Sequence, residues 1–273
     1  MHRPLVCVSL VSALLALPAT LLSAGGPAMA QSGATEKSGE KTDWRLTIGA
    51  GAMLAPSYLG SDDYDIDALP LFDLRYADRV FLSTRDGLGA NLLSSSRWRA
   101  GPVIKYRFGR DQDDDDALRG LGDVDPAGEA GGFVHYDLRP FKLGAEIRQG
   151  FGGHEAVIGD MFVTWSTRLT DSLMLTAGPR ATVASKDFTQ TYFGIDAGQA
   201  ARSGYRPYDP DGAYVSYGLG ATLTYKLTDQ LSLGGFAGID RIAGDAADSP
   251  IVDQAGSATQ ARLGLTLGYS WGW

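Results

Sequence analysis

The last eleven residues of the chain alternate strictly between large apolar side chains and small or polar ones. Leucine, tyrosine or tryptophan occupies every second position from Leu263 to Trp273, and glycine, threonine and serine lie between them. A period of two is typical of a β-strand with one apolar face. An aromatic strand at a free sheet edge would promote aggregation, whereas a closed barrel has no edge and can turn this face toward lipid. The pattern therefore predicts a transmembrane β-barrel that is closed by its C-terminal strand.

Similar alternating segments recur from Trp44 onward, with turn-forming residues between them. The outer face of the first strand is predicted to carry Trp44, Leu46, Ile48, Ala50 and Ala52. We predict an all-β fold, a transmembrane antiparallel up-and-down β-barrel of about 12 strands, as an even-numbered bacterial barrel requires. Ten strands is the alternative, because residues 80–93 could form a single strand or a bulge. The further predicted strands span residues 66–76, 80–84, 88–93, 98–108, 130–138, 142–151, 157–169, 173–183, 214–227, 231–241 and 260–273.

The connections between these strands are alternately long and short almost throughout. Long extracellular loops and short periplasmic turns are the usual arrangement in such barrels. Pro102 and Pro179 lie within predicted strands, where proline removes a ladder donor, and each predicts a bulge or a bend. The long connections are predicted at 55–65, 109–129, 185–212 and 242–258, and the short ones at 77–78, 94–97, 139–140, 170–171 and 228–229.

Aromatic residues predict two interfacial girdles, because tryptophan and tyrosine favour the boundary between lipid and water. All five tryptophans fall near predicted periplasmic strand ends, at Trp44, Trp98, Trp165, Trp271 and Trp273. The opposite girdle is predicted to contain Tyr58, Tyr106, Phe108, Phe151 and Tyr214.

The N-terminal residues predict export. Arg3 precedes an apolar run from Leu5 to Leu22, and Ala28-Met29-Ala30 provides a small-x-small cleavage site. A retained transmembrane helix is the less favoured alternative, because Pro18 interrupts the apolar run. The predicted organisation is a signal peptide over residues 1–30, a disordered periplasmic leader over 31–43 and an outer-membrane β-barrel over 44–273. The predicted location is the cell outer membrane of a Gram-negative bacterium.

Composition narrows the chemistry further. The whole chain has a net charge of −8, and since Arg3 is the only charged residue in the predicted signal peptide, the mature chain carries −9. This acidity argues against nucleic acid as a partner. The single cysteine, Cys7, lies in the predicted signal peptide, so the mature chain offers no disulfide, cysteine–metal site or cysteine nucleophile.

Charged residues within the predicted strands occupy the alternate positions whose side chains face the barrel lumen. They could select which solutes pass, or they could form ion pairs that fill and stiffen a narrow barrel. We favour the second interpretation, because a small barrel is readily filled by its own side chains. The predicted lumen set includes Arg99, Lys105, Arg107, Asp137, Arg139, Glu146, Arg148, Arg180, Lys226 and Arg262.

No stretch of the sequence predicts a catalytic, cofactor-binding or metal-binding site. Only His135 and His154 remain after the signal peptide, and no Gly-x-Ser-x-Gly elbow accompanies them. We therefore predict that the protein is not an enzyme and that it uses no cofactor. The acidic runs Asp111–Asp116 and Asp62–Asp67 could hold Ca²⁺ or Mg²⁺ or attract cationic peptides, but neither has EF-hand spacing, and we interpret both as solvated loops.

Three stretches together resemble a known family. The first is residues 49–61 with Leu69-Pro70-Leu71. The second is Tyr192-Phe193-Gly194-Ile195 with Gln199-Ala200, Ser203-Gly204 and Tyr208, although Tyr205 departs from an expected leucine. The third is residues 244–252 ahead of the aromatic terminal strand. These stretches resemble the MipA/OmpV family, the MltA-interacting outer-membrane proteins. The resemblance implies an outer-membrane barrel. For the best-known relatives it also implies a scaffold that links a murein hydrolase, a lytic transglycosylase, with a peptidoglycan synthase. It implies no catalytic residues.

The leading hypothesis is therefore a non-enzymatic scaffold in the cell envelope. Its expected partners are outer-membrane lipid and lipopolysaccharide, a lytic transglycosylase and a peptidoglycan synthase, and no nucleic acid. The alternatives are a narrow channel for small solutes and a surface-binding or adhesion barrel that uses its acidic extracellular loops.

Overall fold

The computed structural model describes residues 43–273. The predicted signal peptide and residues 31–42 of the predicted leader lie outside the described residues and stay predictions. None of the helices in the described part is long and apolar enough to cross a membrane. The strands are β1 (Trp44–Pro56), β2 (Tyr64–Tyr76), β3 (Val80–Ser83), β4 (Gly87–Ala90), β5 (Leu93–Ser94), β6 (Trp98–Arg107), β7 (Ala127–Leu138), β8 (Phe141–Gly152), β9 (Val157–Arg168), β10 (Leu173–Ala184), β11 (Tyr214–Lys226), β12 (Leu231–Ala243) and β13 (Thr259–Gly272).

All strands pair antiparallel with their neighbours, and the sheet closes on itself. β1 pairs with both β2 and β13, and the ring is completed where β4 and β5 pair with β6. Leu88 lies opposite Ile104, whereas Leu93 lies opposite Ala100, so the register slips by one residue between β4 and β5. They are two pieces of one strand separated by a bulge. The barrel therefore has twelve strand positions, and the twelve-strand prediction is confirmed.

The two prolines within strands lie where the ladder is interrupted. Asp137 N–H donates to Arg97 O, so alternate residues of β6, including Pro102, direct their backbone groups away from β7. The missing N–H of Pro102 therefore faces the bulge between β4 and β5. Pro179 pairs with Leu219 in β11, but neither it nor Gly178 pairs with β9. No residue is inserted there, so Pro179 marks a gap in the ladder rather than a bulge.

The apolar residues of the strands point outward and the polar ones inward. Ile48, Leu219 and Leu265 are 47%, 59% and 63% exposed, whereas Arg148 and Thr266 inside the barrel are 3% and 4% exposed. A soluble protein has the opposite arrangement, with apolar side chains inside. A barrel whose outer surface faces lipid requires apolar side chains on the outside. We refer to the end with the long loops as extracellular and to the end with Trp44, Trp273 and the tight turns as periplasmic.

The periplasmic aromatic girdle has the predicted composition, and the extracellular one differs from the prediction. All five tryptophans are exposed on the outer surface, and Trp44 stacks with Trp273 at 6.4 Å between ring centres. Tyr106, Phe108 and Phe151 are exposed at the other rim. Placing Tyr58 and Tyr214 in that girdle was wrong, because they are 1% and 4% exposed and point into the protein.

The long extracellular loops are folded, which their sequences do not predict. They contain α1 (Lys186–Phe193), α2 (Ala197–Ser203) and α3 (Pro250–Asp253), with short 3₁₀ turns at Asp116–Leu118 and Gly244–Ala246. Helices this short are not stable alone and depend on tertiary packing. Their packing closes the extracellular end, as described below.

Candidate functional site

The extracellular end of the barrel is covered by a layer that we call the cap. It is formed by residues 57–63, 108–126, 185–213 and 244–258, which pack together above the strand ends. The centre of the cap is a buried apolar cluster. The loops therefore form one packed layer rather than independent irregular segments. The cluster comprises Tyr58, Leu118, Leu121, Val124, Ala156, Ile158, Ala184, Phe188, Tyr192, Phe193, Ile195, Tyr214, Ile242, Ala246, Ile251 and Val252.

Tyr58 is the hydrogen-bonding centre of the cap. Its hydroxyl lies 2.8 Å from Ile251 O and 2.7 Å from Ala255 O, and its single proton is shared between these two carbonyls. Burial raises the pKa of the Tyr58 hydroxyl, so the group remains a protonated donor. Beside it, Gly60 has a φ of +107°, and a Cβ there would lie 2.6 Å from Val252 Cγ2. The residue must therefore be glycine for the loop after β1 to meet the loop after β12.

The other loops are joined to the cap by side chains that bond to backbone. Ser249 Oγ donates to Phe193 O at 2.6 Å, which connects the α3 region to the end of α1. Gln199 on α2 donates through Nε2 to Leu121 O at 2.6 Å, which connects α2 to the loop after β6. Asp196 begins α2 with a capping box. These bonds span all four loops and fix the cap as one unit.

Beneath the cap lies a set of charged side chains that we call the ion-pair belt: Arg107, Glu129, Arg148, His154 and Asp160. The Glu129 carboxylate accepts from the Nε of Arg107 and, at 2.7 Å, from the Nε of Arg148. Its third neighbour is His154 Nε2 at 3.2 Å. Arg148 also donates to Asp160 at 2.7 Å. Since Glu129 and Arg148 are 1% and 3% exposed, these charges are stabilised by each other rather than by water.

A second charged group faces the belt from β10, β12 and β13. Arg180 donates to both carboxylate oxygens of Asp240, at 2.7 and 2.6 Å, and Arg262 lies 3.6 Å from the same carboxylate. A space of about 20 Å³, enough for about one water molecule, lies between this group and the cap. The cap and the two charged groups together fill the extracellular half of the lumen.

Most of the predicted lumen residues lie where the alternation placed them. Eight of the ten form ion pairs inside the barrel; these are Arg99 with Asp137, Lys105 with Glu146, and Arg107, Arg148, Arg180 and Arg262 in the groups described above. Lys226 is half-buried at the periplasmic end. The prediction for Arg139 was wrong, because it lies exposed in the turn between β7 and β8.

Glu129, the centre of the belt, is not among the predicted lumen residues. It lies within the predicted loop 109–129, but β7 begins at Ala127. Asp137 and His135 point into the lumen, and every second residue before them on β7 does the same. Continuing this alternation toward the start of the strand identifies Glu129 as a lumen residue. His154 lies in a turn, where no periodicity applies, so its contact with Glu129 could not be inferred.

A cavity of about 180 Å³ lies below the belt. Six cationic side chains line it: Arg75, Arg85, Arg99, Lys105, Lys142 and Arg180. Only three carboxylates line it, those of Asp86, Glu146 and Asp160. Arg75, Arg99 and Arg180 pair with carboxylates just outside this lining, those of Asp73, Asp137 and Asp240. Of the six cations, only Lys142 has no ion-pair partner among the described residues.

Aromatic rings line one side of the same cavity. Phe81, Phe133, His135 and Phe162 follow one another with ring centres 5.7, 5.0 and 5.6 Å apart. Phe162 covers Gly144 on the neighbouring strand, where a Cβ would lie 2.2 Å from its ring. The absence of a side chain at Gly144 therefore lets this ring lie flat against the barrel wall.

His154 and several carboxylates of the acidic loop form hydrogen bonds within the protein. His154 Nδ1 accepts from the Ala156 N–H and Nε2 lies against Glu129, so its ring is bonded on both sides. In the acidic loop, Asp114 and Asp123 accept from backbone N–H groups, and Asp115 caps the 3₁₀ turn. Within residues 43–273, no group of three or more His, Cys, Asp and Glu side chains could hold a metal ion.

Comparison with known proteins places the chain in a family. The family model described as MltA-interacting protein MipA matches residues 48–271, nearly the whole barrel. The chain belongs to the MipA family. It is 24% identical over 230 residues to the putative outer membrane protein YiaT of Escherichia coli K12, covering 83% of this chain and 90% of that protein. It is also 24% identical over 216 residues to the MltA-interacting protein of the same strain, covering 77% and 85%.

Solved outer-membrane proteins show a more distant likeness. A bacterial polysaccharide outer membrane secretin is 9% identical, with a TM-score of 0.44 over 86% of this chain and 100% of that one. The NanC porin is 6% identical, with a TM-score of 0.41 over 83% and 98%. The MipA-family match, the relatives named as outer membrane proteins and the barrel fold together place the protein in the Gram-negative outer membrane.

Each of the three stretches that carry the MipA-family resemblance contributes residues to the cap. Tyr58 and Gly60 come from the first, Phe193 from the second, and Ser249 and Val252 from the third; the bonds and contacts described above connect all three. These residues of the stretches therefore take part in closing the extracellular end.

Proposed function

We propose that this MipA-family protein is a non-enzymatic scaffold whose periplasmic end recruits a lytic transglycosylase and a peptidoglycan synthase. The observation that carries the proposal is the cap. Because the cap and the charged groups beneath it fill the extracellular half of the lumen, the barrel has the form of a closed anchor rather than an open pore. The similar E. coli protein named MltA-interacting protein supports the choice of partner.

The surface available to such partners is the periplasmic rim. In the described part of the chain it consists of short turns, next to the start of β1 at Trp44. Asp171 and Asp229 are exposed at equivalent places in two of these turns, each beside a Leu-Thr pair. A partner that contacts both turns would face two negative charges at the periplasmic end of the barrel. The turns lie at residues 77–79, 95–97, 139–140, 169–172 and 227–230.

In-cell crosslinking tests the scaffold. With the wild-type protein, crosslinking followed by capture of the solubilised barrel is expected to recover a lytic transglycosylase. The double variant Asp171→Lys/Asp229→Lys should lose it, because reversal of both charges changes the periplasmic rim without touching the core. The matched control is Asp113→Lys/Asp116→Lys, which makes the same charge change on exposed extracellular residues and should retain the partner. Failure to recover any murein hydrolase or synthase with the wild-type protein would contradict the proposal.

The cavity below the belt favours a second candidate, a narrow channel that opens by movement of the cap. The cationic side chains of its lining would favour anions. Replacing Arg85 and Lys142, two of these cations, with glutamine would then change ion selectivity, whereas a scaffold would keep its partners. The third possibility, surface binding through the acidic loops, has less support, since several of those carboxylates already bond to backbone N–H groups.

A further inference from the structure

We propose that the cavity below the ion-pair belt binds a small aromatic carboxylate that enters from the periplasm. The inference is independent of the scaffold and channel roles, because binding requires neither a protein partner nor passage through the cap. It rests on three features of the cavity: two cations with unsatisfied hydrogen-bond donors, an aromatic side and the cavity's size.

Two cations of the cavity lining have hydrogen-bond donors that no described residue satisfies. Lys142 forms no ion pair or hydrogen bond with any of residues 43–273, and its ammonium lies 5.9 Å from the centre of the Phe162 ring. Arg180 uses Nε and Nη2 for Asp240, but its buried Nη1 has no hydrogen-bond partner among the described residues. Both groups are donors only, so the ligand that satisfies them is an anion.

Phe162 lies between these two cations. It is the register partner of Arg180 across β9 and β10 and of Gly144 across β9 and β8. Lys142 precedes Gly144 by two residues on the same face of β8. A carboxylate held between Lys142 and Arg180 therefore places the rest of the molecule against Phe162 and the rings that continue from it.

The aromatic side of the cavity and the cavity volume indicate the class of ligand. The row from Phe162 through His135 and Phe133 to Phe81 offers ring faces and edges, which favour an aromatic partner. The cavity, about 180 Å³, is slightly larger than an engineered cavity of about 150 Å³ known to bind benzene. A single ring bearing one carboxylate fits this space.

The route of entry follows from the cap. The extracellular end is filled, whereas small and hydroxyl-bearing residues line the lumen toward the periplasmic end on β1, β9, β12 and β13. Among them, Thr47 bonds to Ser270 at 2.8 Å across the β1–β13 pair. The ligand therefore reaches the cavity from the periplasm and does not cross the barrel.

Titration of the purified, folded full-length barrel in non-ionic detergent with benzoate tests the proposal. Calorimetry or ligand-observed NMR should show saturable binding of benzoate, weaker binding of acetate and no binding of benzylamine. Lys142→Gln should weaken benzoate binding about tenfold or more, because one charged hydrogen-bonding partner is lost. Lys186→Gln, at a lysine that is 53% exposed on α1, is the matched control and should bind like the wild type.

A second variant protects the test against misfolding. Phe162→Leu keeps an apolar side chain over Gly144 and removes the ring, so it should weaken benzoate binding and leave acetate binding unchanged. Heat-dependent electrophoretic mobility reports whether each variant is folded. Absence of benzoate binding to the wild type, or equal binding by Lys142→Gln, would overturn the proposal, as would benzylamine binding as well as benzoate.

Discussion

Glu129→Gln is expected to destabilise the barrel by about 3–5 kcal/mol, the usual effect of removing one partner from a buried ion pair. Glutamine keeps the shape of the side chain and removes its charge. Arg148 would retain Glu146 and Asp160, but Arg107 has no other carboxylate partner among the described residues. The lost free energy therefore comes mainly from Arg107 left without a counter-charge in the lumen. Urea unfolding in lipid vesicles, followed by tryptophan fluorescence, measures the change.

The control for this variant is an ion pair outside the barrel. Asp116→Asn removes the partner of Arg119, and the two side chains are 86% and 71% exposed. Solvent screens this pair, so the variant should unfold at the same urea concentration as the wild type. Equal midpoints for Glu129→Gln and the wild type would show that the belt does not stabilise the barrel.

Phe193→Ala is expected to undock the cap while the strands stay paired. The Phe193 side chain is fully buried, and its ring stacks on Tyr214 with centres 5.8 Å apart. Truncating a buried phenylalanine costs about 3–5 kcal/mol, which increases the open population of the cap by a factor of about 10² to 10³ or more. Residues 185–213 should then become sensitive to protease added outside intact cells.

The matched control is Phe151→Ala. This phenylalanine is 59% exposed at the extracellular rim and lies outside the cap cluster. The same change in side chain should leave the protease pattern of the wild type. If Phe193→Ala remained as resistant as Phe151→Ala, the packing of the cap would not be what keeps these loops closed.

The barrel could be predicted from the sequence because its determinants are local. Alternation from Leu263 to Trp273 and the short turns between strands each specify structure within a few residues. The same parity correctly placed Arg107, Arg148 and Arg180 inside the lumen. The alternative prediction of a bulge within residues 80–93 also has a structural counterpart, because a bulge separates β4 from β5 there.

The cap could not be predicted because its determinants are distant in sequence. Tyr58 bonds to Ile251, and Ser249 to Phe193, across separations of 193 and 56 residues. Nothing in the local sequence distinguishes Tyr58 and Tyr214 from girdle tyrosines, since both lie at strand ends where parity gives way to loop conformation. The candidate ligand cavity has the same origin, because Lys142, Phe162 and Arg180 come together only through the strand register.

Single-barrel conductance in planar bilayers tests most directly whether the extracellular end is closed. Wild-type protein reconstituted in one orientation is expected to show no steady ionic current, because the cap and the ion-pair belt occlude the lumen. Phe193→Ala should show intermittent openings, and Phe151→Ala should behave like the wild type. A steady current through the wild-type barrel, equal to that of Phe193→Ala, would contradict a closed cap and would favour the channel over the scaffold.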